Sequence, residues 1–351
     1  MIGTLNKTLK VNDEVVSEVP DYLIYTVMYS DGVEVEENHK LEAGTTETYL
    51  VRLEFSRNIE ELPSATTIQT SLEPQYLQAD NTSVVRPAAT FIDGKSFNAR
   101  IKKLAGNSSA TYTDDDITIT AFRKSSIPPD MNVMTEDNLV SSEGIIYAWF
   151  DNGTIYYYSS NPKPYLNEDS SYMFYQLIHI SILEVDSVNT SNVTTMASMF
   201  YKAGYSVISF SLDVSNWDTS HVTDMSHMFD NAGHDATTWT IGDLSNWDTR
   251  NVVTMSYMFC HAASFYNISW RDAGNLKIYY TDISHMFFQT SSANITLSLY
   301  DNPRSYSKAF YSTASHGKMI INYTSAVTNI DAIIASAEAG SVITKGELIT
   351  E

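Results

Sequence analysis

The chain has 351 residues, 21 basic against 42 acidic, and a formal net charge of −21. An acidic excess of that size makes nucleic acid and anionic membrane surfaces poor partners. One cysteine, Cys260, excludes a disulfide framework and a cysteine-built metal site, and no apolar run is long enough to span a membrane.

Residues 1–80 read as an antiparallel β-sandwich. Leu23, Tyr25, Val27 and Tyr29 alternate along one face of a strand. Tyr49, Val51, Leu53 and Phe55 repeat the pattern, with Arg52 and Glu54 on the opposite face. Asp31-Gly32 and Ala43-Gly44 supply turns, and His39, among charged residues, is expected to be solvated. The first strand begins almost at Met1, with neither the basic start nor the apolar core of a signal peptide, and no anchor follows Glu351. Either the protein is cytoplasmic, or the sequence is a fragment missing both ends whose sandwich lacks upstream strands, the alternative that the resemblance given below favours.

Residues 81–143 read as a connector. Phe97, Ile101 and Leu104 fall on one face of a short helix ended by Gly106, and Arg100, Lys102 and Lys103 form a solvated opposite face. Asp114-Asp115-Asp116 reads as loop surface rather than a metal cluster, and Ser125 to Ser142, with Pro128-Pro129, as a linker.

From Gly144 the chain opens a hairpin at Asp151-Asn152-Gly153 and then repeats itself. Leu212 to Phe229 reads LDVSNWDTSHVTDMSHMF, and Leu244 to Phe259 reads LSNWDTRNVVTMSYMF. VDSVNTSNVTTMASMF ends at Phe200, TDISHMF at Phe287, SSYMF at Phe174 and SYSKAF at Phe310. These six phenylalanines lie 23 to 30 residues apart, the period of stacked repeats. Alternation over Ile208 to Val214 predicts a strand. Val222, Met225 and Phe229, at steps of three and four, predict a short helix with Ser220 or Thr223 as its cap. Met199, Phe200, Trp217, Met228, Phe229, Trp247, Met258 and Phe259 are the expected core. Asp218 and Asp248 are read as closing their own turns; a Ca²⁺ loop needs more oxygen ligands, closely spaced with glycine. Cys260, directly after Phe259, reads as a buried apolar residue. Residues 327–351, with a helix from Asn329 to Ala339 and a strand within Ser341 to Thr350, are the expected cap on the last repeat.

The pattern WDTS-x-VT-x-MS-x-MF resembles the repeat of BspA-like leucine-rich-repeat surface proteins of bacteria, over residues 144–326. Gly144 to Tyr158 resembles that family's leading hairpin, and the N-terminal segment is similar to the TasA-like secreted β-sandwich proteins. The resemblance implies a mainly β chain with short helices, in which an N-terminal antiparallel β-sandwich precedes a right-handed β/α leucine-rich-repeat-like solenoid. It also implies an extracellular or cell-surface location and a non-catalytic role, with adhesion to host proteins.

Catalytic signatures are absent: no HExxH, no GxSxG, no phosphate-cradling glycine loop and no dinucleotide fingerprint. His221 and His234 join no ligand pair. His227 and His285 fill a position that Tyr172 and Tyr257 fill in other repeats, which marks a semi-exposed packing site. The reading is therefore a monomeric, non-enzymatic protein without cofactor or metal, which binds a host or extracellular-matrix protein or a glycan. An envelope spacer is the architectural alternative, and a glycosidase-type carboxylate pair the enzymatic one. The candidate binding positions are the outward strand residues Ser209, Ser211, Asp213 and Ser215, joined by Asp243 from the next repeat. Of 23 tyrosines, 17 lie in 144–326 among Ser, Asn and Asp, the mixture that binding loops use for rigid contact and adaptable hydrogen bonding.

Overall fold

In the computed structural model the described residues are 89–350, without 108, 110, 264–268, 271, 291–293, 312–317 and 338–342, and the backbone of six strands before residue 78. His39 and the turns at Asp31-Gly32 and Ala43-Gly44 lie outside them. The chain divides into two compact units, residues 1–87 with 126–133, and residues 88–125 with 134–351.

In the first unit all pairing is antiparallel. β1 (Ile2–Val11) pairs along its whole length with β6 (Ile68–Leu77), and on its other side meets β2 (Glu14–Val15) and β4 (Lys40–Leu41). β3 (Leu23–Tyr29) and β5 (Tyr49–Phe55), the two alternating segments, pair with Leu23 opposite Phe55.

The second unit opens with β7 (Thr90–Phe91) and α1 (Gly94–Leu104), capped by Asp93, whose carboxylate accepts the Ser96 N–H. Phe97 and Ile101 are fully buried, as their spacing predicts. Lys102, expected on the solvated side, is buried as well. Its ammonium donates to the carbonyl oxygens of Tyr112, Asp114 and Tyr175 at 2.7–3.1 Å. Burial lowers its pKa to about 8, against the pull of nearby Asp116. A long stem places the charge among three loop carbonyls, one of which, that of Tyr175, also accepts from Asn98, and helix periodicity alone cannot show that. The connector also supplies β8 (Ala121–Lys124), followed by β9 (Ser141–Glu143), which pairs with β7.

β10 (Tyr147–Asp151) and β11 (Thr154–Tyr158) form the expected hairpin. Asn152 and Gly153 both take positive φ, 43° and 84°, as a two-residue hairpin turn requires. β8 lies parallel between β11 and β12 (Ile182–Leu183). The ladder continues in parallel through β13 (Ser209–Leu212), β14 (Thr238–Thr240) and β15 (Ser269–Trp270). A second parallel sheet runs β16 (Asn275–Ile278), β17 (Asn294–Leu299), β18 (Lys318–Tyr323) and β19 (Ile343–Leu348). α2 (Ile330–Ala335) precedes β19 and buries Ile330 and Ile333. The chain is mainly β with few short helices, and its sheets are open.

The helix expected within each repeat does not form. Around Phe229 the backbone instead folds as consecutive tight turns. Met225, His227, Phe229 and Asn231 donate their N–H groups to Thr254, Ser256, Met258 and Cys260 of the next repeat. Met228 and Asp230 between them, and Ala232 after them, donate three residues back in their own chain, while Ser226 donates to the Asp224 carboxylate. The same alternation surrounds Phe200, Phe259 and Phe287. It requires left-handed backbone two residues before and two after the phenylalanine: φ is 55° and 58° at His227 and Asn231, and 59° and 52° at Tyr257 and His261. Left-handed backbone costs roughly 1–2 kcal/mol per non-glycine residue. Inter-repeat hydrogen bonds, unavailable to an isolated helix, offset it.

Stacking follows from that backbone. Phe174, Phe200, Phe229, Phe259, Phe287 and Phe310 form one ladder with centroids 5.1–6.1 Å apart and planes within 16°. Met199, Met228 and Met258 are fully buried beside it, and Trp217 and Trp247 are 3% and 0% exposed. Each indole donates one repeat back, Trp217 to the Val185 carbonyl and Trp247 to that of Val214, both at 3.0 Å.

Candidate functional site

Alternation along β13 turns Phe210 and Leu212 into the core and exposes Ser209 and Ser211. Parallel register then lines up equivalent positions across repeats. Ser209 lies opposite Thr238, whose hydroxyl donates to it at 2.7 Å, and Ser211 lies between Ile182 and Thr240. The outward face is a set of short rows of hydroxyls with Ile182 among them, 38% exposed. A groove of about 340 Å³ crosses these rows beside Glu184, Asp186, Asp213 and Gly242. Glu184 is paired with Arg123.

Asp213 and Asp243, both exposed, have a second occupation. Each carboxylate closes its own turn, accepting the N–H of Ser215 or Ser245 at 2.9 Å. The Ser245 hydroxyl and N–H also hold the Asp243 carboxyl below the usual carboxylate range. Ser215 is half-buried in that turn. The carboxylates rest against glycines of the next repeat: a Cβ on Gly242 would stand 2.2 Å from Asp213 Oδ1, and one on Gly274 only 1.8 Å from Asp243 Oδ1. The structure thus brings Ser209, Ser211 and Asp213 to one exposed face and ties the aspartates into the backbone.

Asp218 and Asp248 are turn closers too, accepting from Ser220 and Arg250 two residues on. Among the described residues no group of three or more His, Cys, Asp or Glu is placed to hold a metal ion, and no helix is long and apolar enough to cross a membrane. A second groove, about 500 Å³, carries Glu143 and Glu168 with Asn167, Asn192 and His221. Both glutamates are exposed. Cys260 is 4% exposed, and burial, reinforced by the Asp230 carboxylate, pushes its thiol up, away from nucleophilic use.

Sequence reasoning missed where the tyrosines go. Several in the repeats, among them Tyr172, Tyr175, Tyr201, Tyr205 and Tyr257, lie on the tight turns rather than on the strands. Tyr175 stacks on Tyr201 at 4.7 Å, and Tyr205 on His234 at 4.6 Å. Tyr257 is sandwiched between His227 and His285 at 4.6 and 4.5 Å, with planes within 6°. Phe288 continues to Tyr311 at 5.1 Å. The signal was the interchange of Tyr and His at one repeat position; the face on which that position lies depends on the turn geometry.

Comparison with known proteins gives one family. A family model described as "Mycoplasma protein of unknown function, DUF285" matches residues 168–300 and again 234–342. No curated protein and no solved structure matches the chain. The two overlapping matches cover the run of phenylalanine-closed repeats from Phe174 to Phe310. Over residues 168–342 the chain is therefore similar to the DUF285 repeat family, whose description assigns it no function.

Proposed function

We propose that this chain is a non-catalytic binding protein of the cell surface or extracellular space. In this reading its repeats form a right-handed solenoid of the BspA-like leucine-rich-repeat type, and residues 1–80 form a β-sandwich. The supporting observation is the register of Ile182, Ser211 and Thr240, and of Ser209 and Thr238, which repeats one outward pattern from strand to strand beside a shallow groove. A surface built that way meets an extended protein or glycan through many small contacts, each weak and additive along the stack. The exposed carboxylates of the larger groove favour binding over glycoside hydrolysis.

Immobilised full-length protein, screened against extracellular-matrix proteins and glycans, tests this reading. The expected result is saturable binding that Ser211→Arg and Thr240→Arg abolish without lowering Tm. No saturable partner would leave an envelope spacer as the better account.

A further inference from the structure

We infer that the face carrying Asn192, His221, Thr194 and Thr223, with the groove at its edge, docks an extended basic peptide segment. The inference rests on the reading of this chain as a binding protein. It assigns a second face, apart from the sheet rows, and the chemistry of its partner.

Repetition builds this face as it builds the sheet. Thr194, Thr223 and Val253 donate their N–H groups to the carbonyls of Glu168, Thr194 and Thr223, each one repeat back, at 2.8–2.9 Å. The four side chains of that row are exposed. Two residues earlier, Asn192, His221 and Asn251 make a second exposed row, while Val193, Val222 and Val252 between the rows are buried. The groove of about 500 Å³ lies at the Glu168 end, with Glu143 and Glu168 in its lining and no lysine or arginine. Three steps from Glu168 to Val253 come to roughly 15 Å at the usual strand spacing, about five residues of extended chain.

The hydrogen-bond inventory selects the ligand. The Thr194 and Thr223 hydroxyls donate inward, to the carbonyls of Glu168 and Thr194 at 3.1 Å, and present lone pairs outward. Asn251 commits its amide nitrogen to the Ser220 carbonyl at 2.6 Å, which leaves its oxygen. Glu143 and Glu168 form no ion pair among the described residues. In the two rows the donors left free are the Asn192 amide and one nitrogen of His221, whose ring otherwise reaches Ser220 at 3.3 Å. An acceptor-rich surface matches a ligand that donates and does not accept. Ammonium and guanidinium groups are of that kind, whereas sugar hydroxyls do both. The Asn192 amide and the His221 ring remain for carbonyls of the peptide backbone. Charge agrees with this choice. Asp218 and Asp248 close the turns that lead into the segments of His221 and Asn251; Arg250 offsets Asp248, while Asp218 is bonded only to Ser220. Glu143, Glu168 and Asp218 thus stand without a lysine or arginine partner, in a chain of net charge −21. A cationic segment is drawn to such a surface, and a polyanion is repelled.

Full-length protein is titrated with a fluorescent octapeptide alternating arginine and serine, its glutamine–serine and glutamate–serine counterparts, and a cello-oligosaccharide. Saturable, salt-sensitive binding of the arginine peptide alone is expected. Glu143→Gln and Glu168→Gln each weaken it about two- to fivefold, the effect of one exposed ion pair. Thr223→Arg, at a position that Val253 fills in the next repeat, abolishes it without lowering Tm. Glu347→Gln on β19 removes the same charge elsewhere and leaves binding unaltered. No saturable binding of the arginine peptide overturns the inference. So does equal binding of the glutamine peptide or of the sugar, or a loss that Glu347→Gln reproduces. Loss on Ser211→Arg but not on Thr223→Arg would place the peptide on the sheet rows, leaving the binding reading intact while this inference falls.

Discussion

Trp247 donates its indole N–H to the carbonyl oxygen of Val214, one repeat back, at 3.0 Å. The bond lies in a fully buried site, and it joins neighbouring repeats through a side chain that also fills the core. Trp247→Phe removes the indole bond but leaves that carbonyl the Trp217 N–H at 3.2 Å, and should cost about 0.5–1.5 kcal/mol. Trp247→Ala also opens a cavity and should cost about 3–5 kcal/mol. Thermal unfolding of the two variants checks the order. Equal losses would show that the cavity left by Ala adds nothing to the loss of the hydrogen bond.

Thr190, Thr219 and Thr249 are buried and donate to a carbonyl of the following repeat, Thr219 to Asp248 at 3.0 Å. Thr281, which aligns instead with Thr223, six residues before its phenylalanine, is also buried, and its hydroxyl finds no partner. Thr219→Val should therefore destabilise by about 1–3 kcal/mol, whereas Thr281→Val should be neutral or stabilising. Chemical denaturation midpoints separate the two cases.

His261 and His285 both hold pKa values below the ordinary 6.5, chiefly through burial. Asp230 opposes the shift at His261 while His234 adds to it; Lys308 adds to it at His285 while Asp282 opposes. With the folded pKa depressed, the unfolded chain takes up protons first as pH falls. Their contribution is complete above pH 6.5 and is lost below it, through the window down to the folded pKa values. Tm should fall between pH 7.5 and 5, and His285→Tyr, which installs the residue found at Tyr257, should flatten part of that slope. Asp218, Asp243 and Asp248, held low mainly by the hydroxyl or guanidinium two residues on, lose their contribution only below the usual carboxylate pKa of 3.8.

Gly242 takes φ 85° against the Asp213 carboxylate. Gly242→Ala forces a Cβ into that oxygen in a backbone region that side chains avoid, and should cost roughly 1–3 kcal/mol. Asp213→Ala combined with it should recover part of the loss by removing the colliding atom. A double-mutant cycle on Tm reads the coupling.

Cys260 should resist iodoacetamide at pH 8 in the folded protein and react fully in denaturant, since only the thiolate is nucleophilic and this thiol is buried beside a carboxylate. Native-state labelling at the rate of a free thiol would contradict its placement.

The core was legible because recurrence needs no geometry: Phe200, Phe229 and Phe259 recur about a repeat apart and therefore stack. The spacing of Val222, Met225 and Phe229 misled because consecutive turns that bond three residues back bury the same residues as a helix would. What distinguishes them is where the N–H groups of His227 and Phe229 go, and their acceptors sit about thirty residues away. The strand residues Ser209 and Ser211 were placed correctly by alternation. The Tyr/His interchange marked Tyr257 as a semi-exposed packing position, as found; the face of Tyr175 and Tyr201 was not legible, since it is set by left-handed backbone at non-glycine residues, for which sequence carries almost no local mark.

The alternation of N–H groups around Phe200, Phe229, Phe259 and Phe287 has an evolutionary corollary. Losing one residue inside that stretch would exchange the groups that reach across with those that reach back, and unfasten two neighbours at once. Beyond that stretch the bonds between repeats are sparser, although Gly204 and Ser206 still donate to Leu177 and Ile178 of the preceding repeat. The uneven steps between phenylalanines, from 23 to 30 residues, fit lineages that edited the loops and left the clasp untouched. In such a protein the unit of heritable change is the whole repeat, gained or lost entire by unequal recombination.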